Sequence, residues 1–422
     1  MEINQKKDTI QNEALKAWVD NDKIGTTEII TGMGKTFLFF KALKTFPKYE
    51  NDTLHLFLAE QKDRLGDFTK DMIKFNNIYN CNIMAEYNVQ FQCYQTVRNW
   101  SGYKLGLVGA DEIHDSISPE NAKFYFNNAF QGILGLTAKF DGSKYYDFSN
   151  NKQMTQAFGK IMVSKQEMLD MIAPIVYSYN INQGQEDNTS RKLNIFVFNH
   201  YLESKEKTIK AGNRLNPFYQ TEAAAYNYLT KKFTDALNLQ PYQNEHYAVF
   251  EDRKNLEIIK VVNKRTTFLH NLKSRLDLVK LLLKYINTKT IVFGNSITEL
   301  DKITPNVVSS KKTDAENESI RALFDRNVID VIASFKKLKQ GANLEKVANC
   351  VMHSYYSTEI DFIQRIGRLR QDEDKEGNVF IFVANGTQEE VWLNKMLENA
   401  DNFNIIRMTL DTFISEKHYE NL

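Results

Sequence analysis

Residues 28–40 read EIITGMGKTFLFF: an apolar run, a turn with two glycines, a lysine and a threonine, then a second apolar run. A strand that passes through a glycine-rich turn into a helix is the setting a phosphate loop requires. Backbone N–H groups converge there, and the helix turns its positive end toward the same point. Gly32 and Gly34 remove Cβ atoms that would crowd those groups, and Thr31 and Met33 complete the turn. Lys35 supplies a point charge for the β- and γ-phosphates, and Thr36 a hydroxyl for Mg2+. Ile29 stands where the general pattern has its first glycine, and an isolated turn of this kind also fits a surface loop with a stray lysine. The surroundings must decide.

Seventy-six residues after Lys35, LGLVGADEIH ends an apolar strand in Asp111 and Glu112. Open parallel sheets present ligands at the carboxyl ends of their strands. Phosphoryl transfer to water needs a metal anchor and a group that orients or deprotonates the water, which makes Asp111 the candidate metal ligand and Glu112 the candidate base. An isolated Asp-Glu pair is more often a solvated turn. Beside a phosphate loop that reading becomes the weaker one.

From Thr26 to Ala138 short apolar runs alternate with amphipathic stretches, the rhythm of an α/β domain around a buried parallel sheet. Ser118-Pro119-Glu120 reads as a helix start. A second series begins near Arg265, where TTFLHNLKSRLDLVKLLLKYI reads as one long helix followed by strands TIVFGNS, VVSS, VIDVIAS, NCVMHSYY and NVFIFVAN. In TEIDFIQRIGRLRQ, Thr358 and Asp361 read as a capping pair. The division expected is a first α/β domain over 1–179, a linker with an inserted helical element over 180–264, and a second α/β domain over 265–422.

Bulk properties agree with two globular domains and exclude other classes. The chain has 422 residues, 42% hydrophobic and 25% charged, too long for one core and too apolar for disorder. With 54 basic and 53 acidic residues the net charge is +1, so a polyanion would have to be held in a local groove. Cys81, Cys93 and Cys350 are far apart and show no C-x-x-C spacing, so neither a disulfide framework nor a structural zinc site is supported. The amino-terminal sequence has no apolar targeting core and no run suits a membrane span, so a cytoplasmic location is expected.

TGMGKT, ADEIH, LGLTAK, KQGANLE and QRIGRLRQ, in that order, resemble motifs I, II, III, V and VI of superfamily 2 helicases and translocases of the DEAH-like (DExH-box) type. The Gln-Arg-x-Gly-Arg form is similar to the excision-repair and restriction-translocase groups. The resemblance implies two RecA-like domains, ATP and Mg2+ in the cleft between them, and hydrolysis coupled to movement along nucleic acid. It implies that Gln11 reads adenine, that His114, Thr137 and Ala138 couple the two sites, and that Gly341, Asn343 and Arg365 bind nucleotide. Gln364 would contact the γ-phosphate or its water, and Arg368 would be the arginine finger. The family's last motif VI arginine falls on Gln371 here, with Arg370 one residue early, so either Arg370 substitutes or the finger is single. Lys139 stands where another threonine is common in motif III.

Family position also implies that Arg64, Gln95, Thr96, Asn295, Ser296 and Ser334 hold the nucleic-acid backbone, where polar groups fix register without reading bases. Each is equally compatible with an ordinary loop residue. The expected function is an ATP-dependent helicase or translocase acting on DNA rather than RNA, monomeric, with recruiting proteins supplying its targets. An RNA helicase, or a nucleotide-switched binding module with little turnover, is the alternative.

Overall fold

The computed structural model describes residues 5–50, 52–60, 62, 64–187, 192–212, 215–243, 245–335, 344, 347–355, 359–366, 369, 376–398 and 403–421. The chain forms two compact units, the first running to Arg191 and the second starting at Lys192.

In the first unit β1 (Ile24–Ile29), β2 (Leu54–Ala59), β3 (Asn88–Cys93), β4 (Lys104–Asp111), β5 (Ala129–Thr137) and β8 (Ile175–Tyr179) make one sheet, in the order β3-β2-β4-β5-β1-β8. Every pairing is parallel. A short hairpin of β6 (Tyr145–Asp147) and β7 (Met162–Ser164) lies outside it. Strand β4 is buried from Leu105 to Asp111, as expected where helices cover both faces and apolar residues need not alternate with polar ones. One apolar cluster packs Trp18, Phe39, Phe40, Phe57 and Phe75; another joins Leu56, Tyr94, Ile113, Phe124 and Phe148. Helices α1 (Gln5–Asp20), α2 (Lys35–Leu43) and α3 (Arg64–Tyr79) matter most for the site.

The second unit contains β9 (Leu193–His200), β12 (Thr290–Phe293), β13 (Val307–Val308), β14 (Val331–Ser334), β15 (Asn349–Met352), β16 (Gly377–Ala384) and β17 (Asn404–Met408). These form a parallel sheet in the order β13-β14-β12-β15-β16-β9-β17. Its core includes Phe196, Phe198, Val292, Phe380, Phe382 and Phe413. Between β9 and β12 the chain makes an antiparallel hairpin of β10 (Ile209–Gly212) and β11 (Pro217–Gln220), then helices Glu222–Leu237, Tyr247–His270 and Lys273–Tyr285.

Three expectations need correction. The 180–264 segment is not a linker, because β9 is an interior strand between β16 and β17, pairing with β16 over eight positions. Apolar patterning marks a strand without saying which sheet it joins. The long helix expected from Arg265 is broken, since Tyr247–His270 ends at Asn271 and Lys273 starts a new helix. Ser118 does not open a helix: residues 118–122 turn, with Ala122 N–H donating to Ser118 O, and the helix begins at Lys123. The Thr358 capping position lies outside the described residues. No helix among the described residues is long and apolar enough to cross a membrane.

Candidate functional site

The glycine turn follows β1 directly and Lys35 is the first residue of α2. Gly32 and Gly34 have φ of +90° and +78°, a region L side chains rarely adopt, and a Cβ on Gly34 would come within 2.7 Å of Gln11 Nε2. Gln11 is buried on α1 and donates through Nε2 to Met33 O at 2.7 Å and Gly34 O at 3.4 Å, so its amide braces the loop backbone. Lys7 Nζ donates to Gly32 O at 3.0 Å. Helix α1 is itself fixed, because Lys41 on α2 donates to Asp8 Oδ1 at 2.7 Å and to Asn12 Oδ1 at 2.8 Å. Tyr79 on α3 donates to the same Asp8 oxygen at 2.6 Å. Burial pushes the Lys41 ammonium below its usual range while Asp8 opposes the shift.

Strand β4 delivers the two acids. Asp111 is buried at its end, and Glu112 takes φ +53°, ψ +57°, a left-handed conformation costly for a non-glycine residue and typical of functional turns. Each acid is met by a cation of the same unit. Lys35 Nζ lies 3.4 Å from Glu112 Oε1, and Arg64 Nη2 lies 2.6 Å from Asp111 Oδ2. Burial would raise the Asp111 carboxyl, but the Arg64 and Lys35 charges beside it overcome this and hold it below the usual carboxylate range. Tyr94 OH donates to the Asp111 carbonyl. Asp71 lies near the Thr36 hydroxyl, and burial pushes its carboxyl upward.

From Glu112 the contacts run to β5. Thr137 Oγ1 can donate to Glu112 Oε2 at 3.4 Å or Lys139 O at 3.0 Å, and His114 Nδ1 lies 3.1 Å from the same hydroxyl. Ala138 is buried beside it. Sequence reasoning missed Glu28, which is buried on β1. Its carboxylate accepts from Phe140 N–H at 2.9 Å and Ser178 Oγ at 3.2 Å, pinning the loop after Thr137. An acid inside the apolar run TTEIIT was the available signal.

The structure thus brings Gln11, Gly32, Met33, Gly34, Lys35, Asp111, Glu112, His114 and Thr137 together in one unit. Arg64 departs from expectation. It is paired with Asp111, and with Asp67 at 3.5 Å, instead of being directed to a polynucleotide. Gln95 and Thr96 are exposed on a short helix after β3.

In the second unit Arg365 is 1% exposed, and it donates to Ser354 O at 2.8 Å and Asn295 Oδ1 at 3.3 Å. The two side chains hold the ends of neighbouring strands together, an engagement that differs from the nucleotide role expected of Arg365 and the backbone contact expected of Asn295. Asn295 also donates from its backbone N–H to Ser354 Oγ at 2.7 Å. Ser296 caps the Ile297–Ile303 helix and Ser334 is buried at the end of β14. Gln364 belongs to the Glu359–Ile366 helix. Gly341, Asn343, Arg368, Arg370 and Gln371 lie outside the described residues.

A phosphate loop facing two acids at a strand end, on one of two parallel-sheet units, defines an enzyme that hydrolyses a nucleoside triphosphate. Residues 4–141 match the model of the type III restriction enzyme res subunit, and residues 273–373 that of the helicase conserved C-terminal domain. The chain is 26% identical over 402 residues to the DNA 3'-5' translocase XPB2 of Sulfurisphaera tokodaii, covering 90% of this chain and 82% of the relative. Its fold is similar to that of S. cerevisiae Dbp5 bound to RNA and ADP BeF3 (TM-score 0.58, 12% identity, 97% of this chain and 92% of that one). It is also similar to the ATP-dependent Type ISP restriction-modification enzyme LlaBIII bound to DNA (TM-score 0.58, 12% identity, 100% of this chain and 32% of that one). The chain is a superfamily 2 helicase or translocase, an ATP hydrolase whose turnover depends on nucleic acid.

Proposed function

We propose that this enzyme uses ATP to move along DNA, with hydrolysis centred on the acids that close β4. The observation that carries the hydrolytic part is the pairing of Glu112 with Lys35 and of Asp111 with Arg64 beside the glycine turn. A triphosphate arriving at the loop draws Lys35 away from Glu112, since phosphate oxygens offer more negative charge than one carboxylate. Glu112, released, accepts a proton from the attacking water. The oxygen donors of Thr36 and Asp111 fit Mg2+, which when bound would neutralise phosphate charge. Asp111 would first exchange its present partner, Arg64.

On the family resemblance, Gln364 orients the water and Arg368 stabilises charge on the transferred phosphoryl group. Thr137 and His114 touch Glu112 directly, which supports a role in reporting its state toward the nucleic acid. DNA is favoured over RNA because the 26% identity to a DNA translocase extends over most of the chain. Monomeric action in the cytoplasm, directed by recruiting proteins, completes this reading.

ATPase activity measured with single-stranded, duplex and forked DNA and with RNA tests it. Stimulation by DNA above RNA is expected, and stimulation by RNA alone would reassign the substrate.

A further inference from the structure

Strand β9 ends in His200, and the next twenty residues carry exposed aromatic and basic side chains. Tyr201 is 77% exposed, Phe218 55% and Tyr219 57%. Lys205, Lys207 and Lys210 are exposed as well, and none of the three is in an ion pair among the described residues. The acids of the segment are already engaged. Glu203 accepts backbone N–H groups of Lys205 and Glu206, and Glu206 lies 3.5 Å from Lys273.

Much of this segment is the β10–β11 hairpin, in which Lys210 pairs with Tyr219 and Ala211 with Phe218. Directly paired residues share a face and adjacent residues alternate, so one ring lies on each face, with Lys210 beside Tyr219. A two-stranded hairpin is marginal alone in water, and open rings on both its faces do nothing to stabilise it. A flat ring beside an ammonium group, in no ion pair among the described residues, suits a ligand with its own flat faces and a negative backbone. Unpaired bases meet that description. A duplex keeps its base faces stacked inside, and an apolar protein partner would leave the lysines without a counter-charge.

We propose that residues 201–212 and 215–220 present a single-strand binding surface, in which Phe218 and Tyr219 stack on unpaired bases while Lys207 and Lys210 hold the flanking phosphates. It rests on the nucleic-acid-dependent reading above. The test is fluorescence anisotropy with a labelled oligothymidylate and a matched duplex, titrated across a range of salt, using the whole chain.

The double variant Phe218→Ala/Tyr219→Ala is expected to weaken single-strand binding tenfold or more without changing the salt dependence. Lys207→Ala/Lys210→Ala should reduce the slope of log affinity against log salt by about 1.4. ATPase activity without nucleic acid stays unchanged in both. Phe218→Tyr/Tyr219→Phe keeps the rings and should bind as the unaltered chain does, which separates stacking from a disrupted hairpin.

Single-strand binding that survives the ring truncation, or an equal loss on duplex, overturns the proposed surface and leaves the hairpin to a protein partner. If the unaltered chain binds no polynucleotide and none raises its ATPase, the underlying functional reading fails and the proposed surface with it.

Discussion

Arg64 and Asp111 form a 2.6 Å ion pair at the head of the phosphate loop, so the acid expected to anchor a metal is already neutralised by the protein's own cation. Asp111 is buried while Arg64 keeps about a fifth of its side chain exposed, which leaves the arginine the partner able to swing out. Removing Arg64 would leave the carboxylate with less opposing charge in a low-dielectric site. For Arg64→Ala we expect the Mg2+ concentration needed for half-maximal binding of a fluorescent ADP to fall about tenfold, a shift of about 1.4 kcal/mol. A rise instead would mean that Arg64 helps to hold the phosphates.

Lys35 and Glu112 differ in what their loss removes. Lys35→Ala should abolish hydrolysis and weaken nucleotide binding together. Glu112→Gln should still bind ATP but turn it over about 100-fold or more slowly, the usual contribution of a positioned base. Equilibrium binding beside single-turnover hydrolysis separates the two. Loss of binding in Glu112→Gln would show that the carboxylate is needed to shape the loop.

Arg365 is expected to behave as a structural residue. Its guanidinium satisfies Ser354 O and Asn295 Oδ1 inside the second unit, and a lysine there can satisfy only part of that set. Arg365→Lys should lower unfolding stability by roughly 1–3 kcal/mol in urea titrations. The KM for ATP should change less than twofold. A large KM effect with unchanged stability would restore the nucleotide role.

Two buried histidines of the second unit set an acid limit. Burial, with Arg275 nearby, holds His353 at about 3, and burial holds His270 at about 4, both well below the ordinary 6.5. Between those values and 6.5 the unfolded chain binds protons that the folded chain refuses, so this contribution to stability is present above about pH 6.5. It is lost as pH falls toward 4 and levels off below about 3. Urea midpoints should therefore drop across that window, and imidazole NMR titrations should find these two rings neutral at pH 5.

The glycine turn and the acids of β4 were legible because each is a short run whose chemistry and backbone demands coincide. Their partners were less so. Arg64 was recognised as functional, yet that it reaches Asp111, 47 residues away, is a matter of how α3 packs. Arg365 and Asn295 are 70 residues apart and choose each other only inside the folded sheet. Strand β3 escaped notice because NVQFQC is half polar, as suits the edge of a sheet. Strand β9 is the apolar run LNIFVFNH, but its partner β16 begins 184 residues later, and no local pattern carries such a pairing.

The same strand constrains how the chain can be divided. A fragment beginning at Arg265, where the second helical and strand series starts, would lack the strand between β16 and β17 and would strip Phe380, Phe382 and Phe413 of the rings of Phe196 and Phe198. The bared margin of β16, eight residues long, would be a template for aggregation. Autonomous folding of the carboxyl-terminal half therefore requires the polypeptide from Lys192 onward, and proteolytic nicking within the intervening helices should leave two pieces that stay associated.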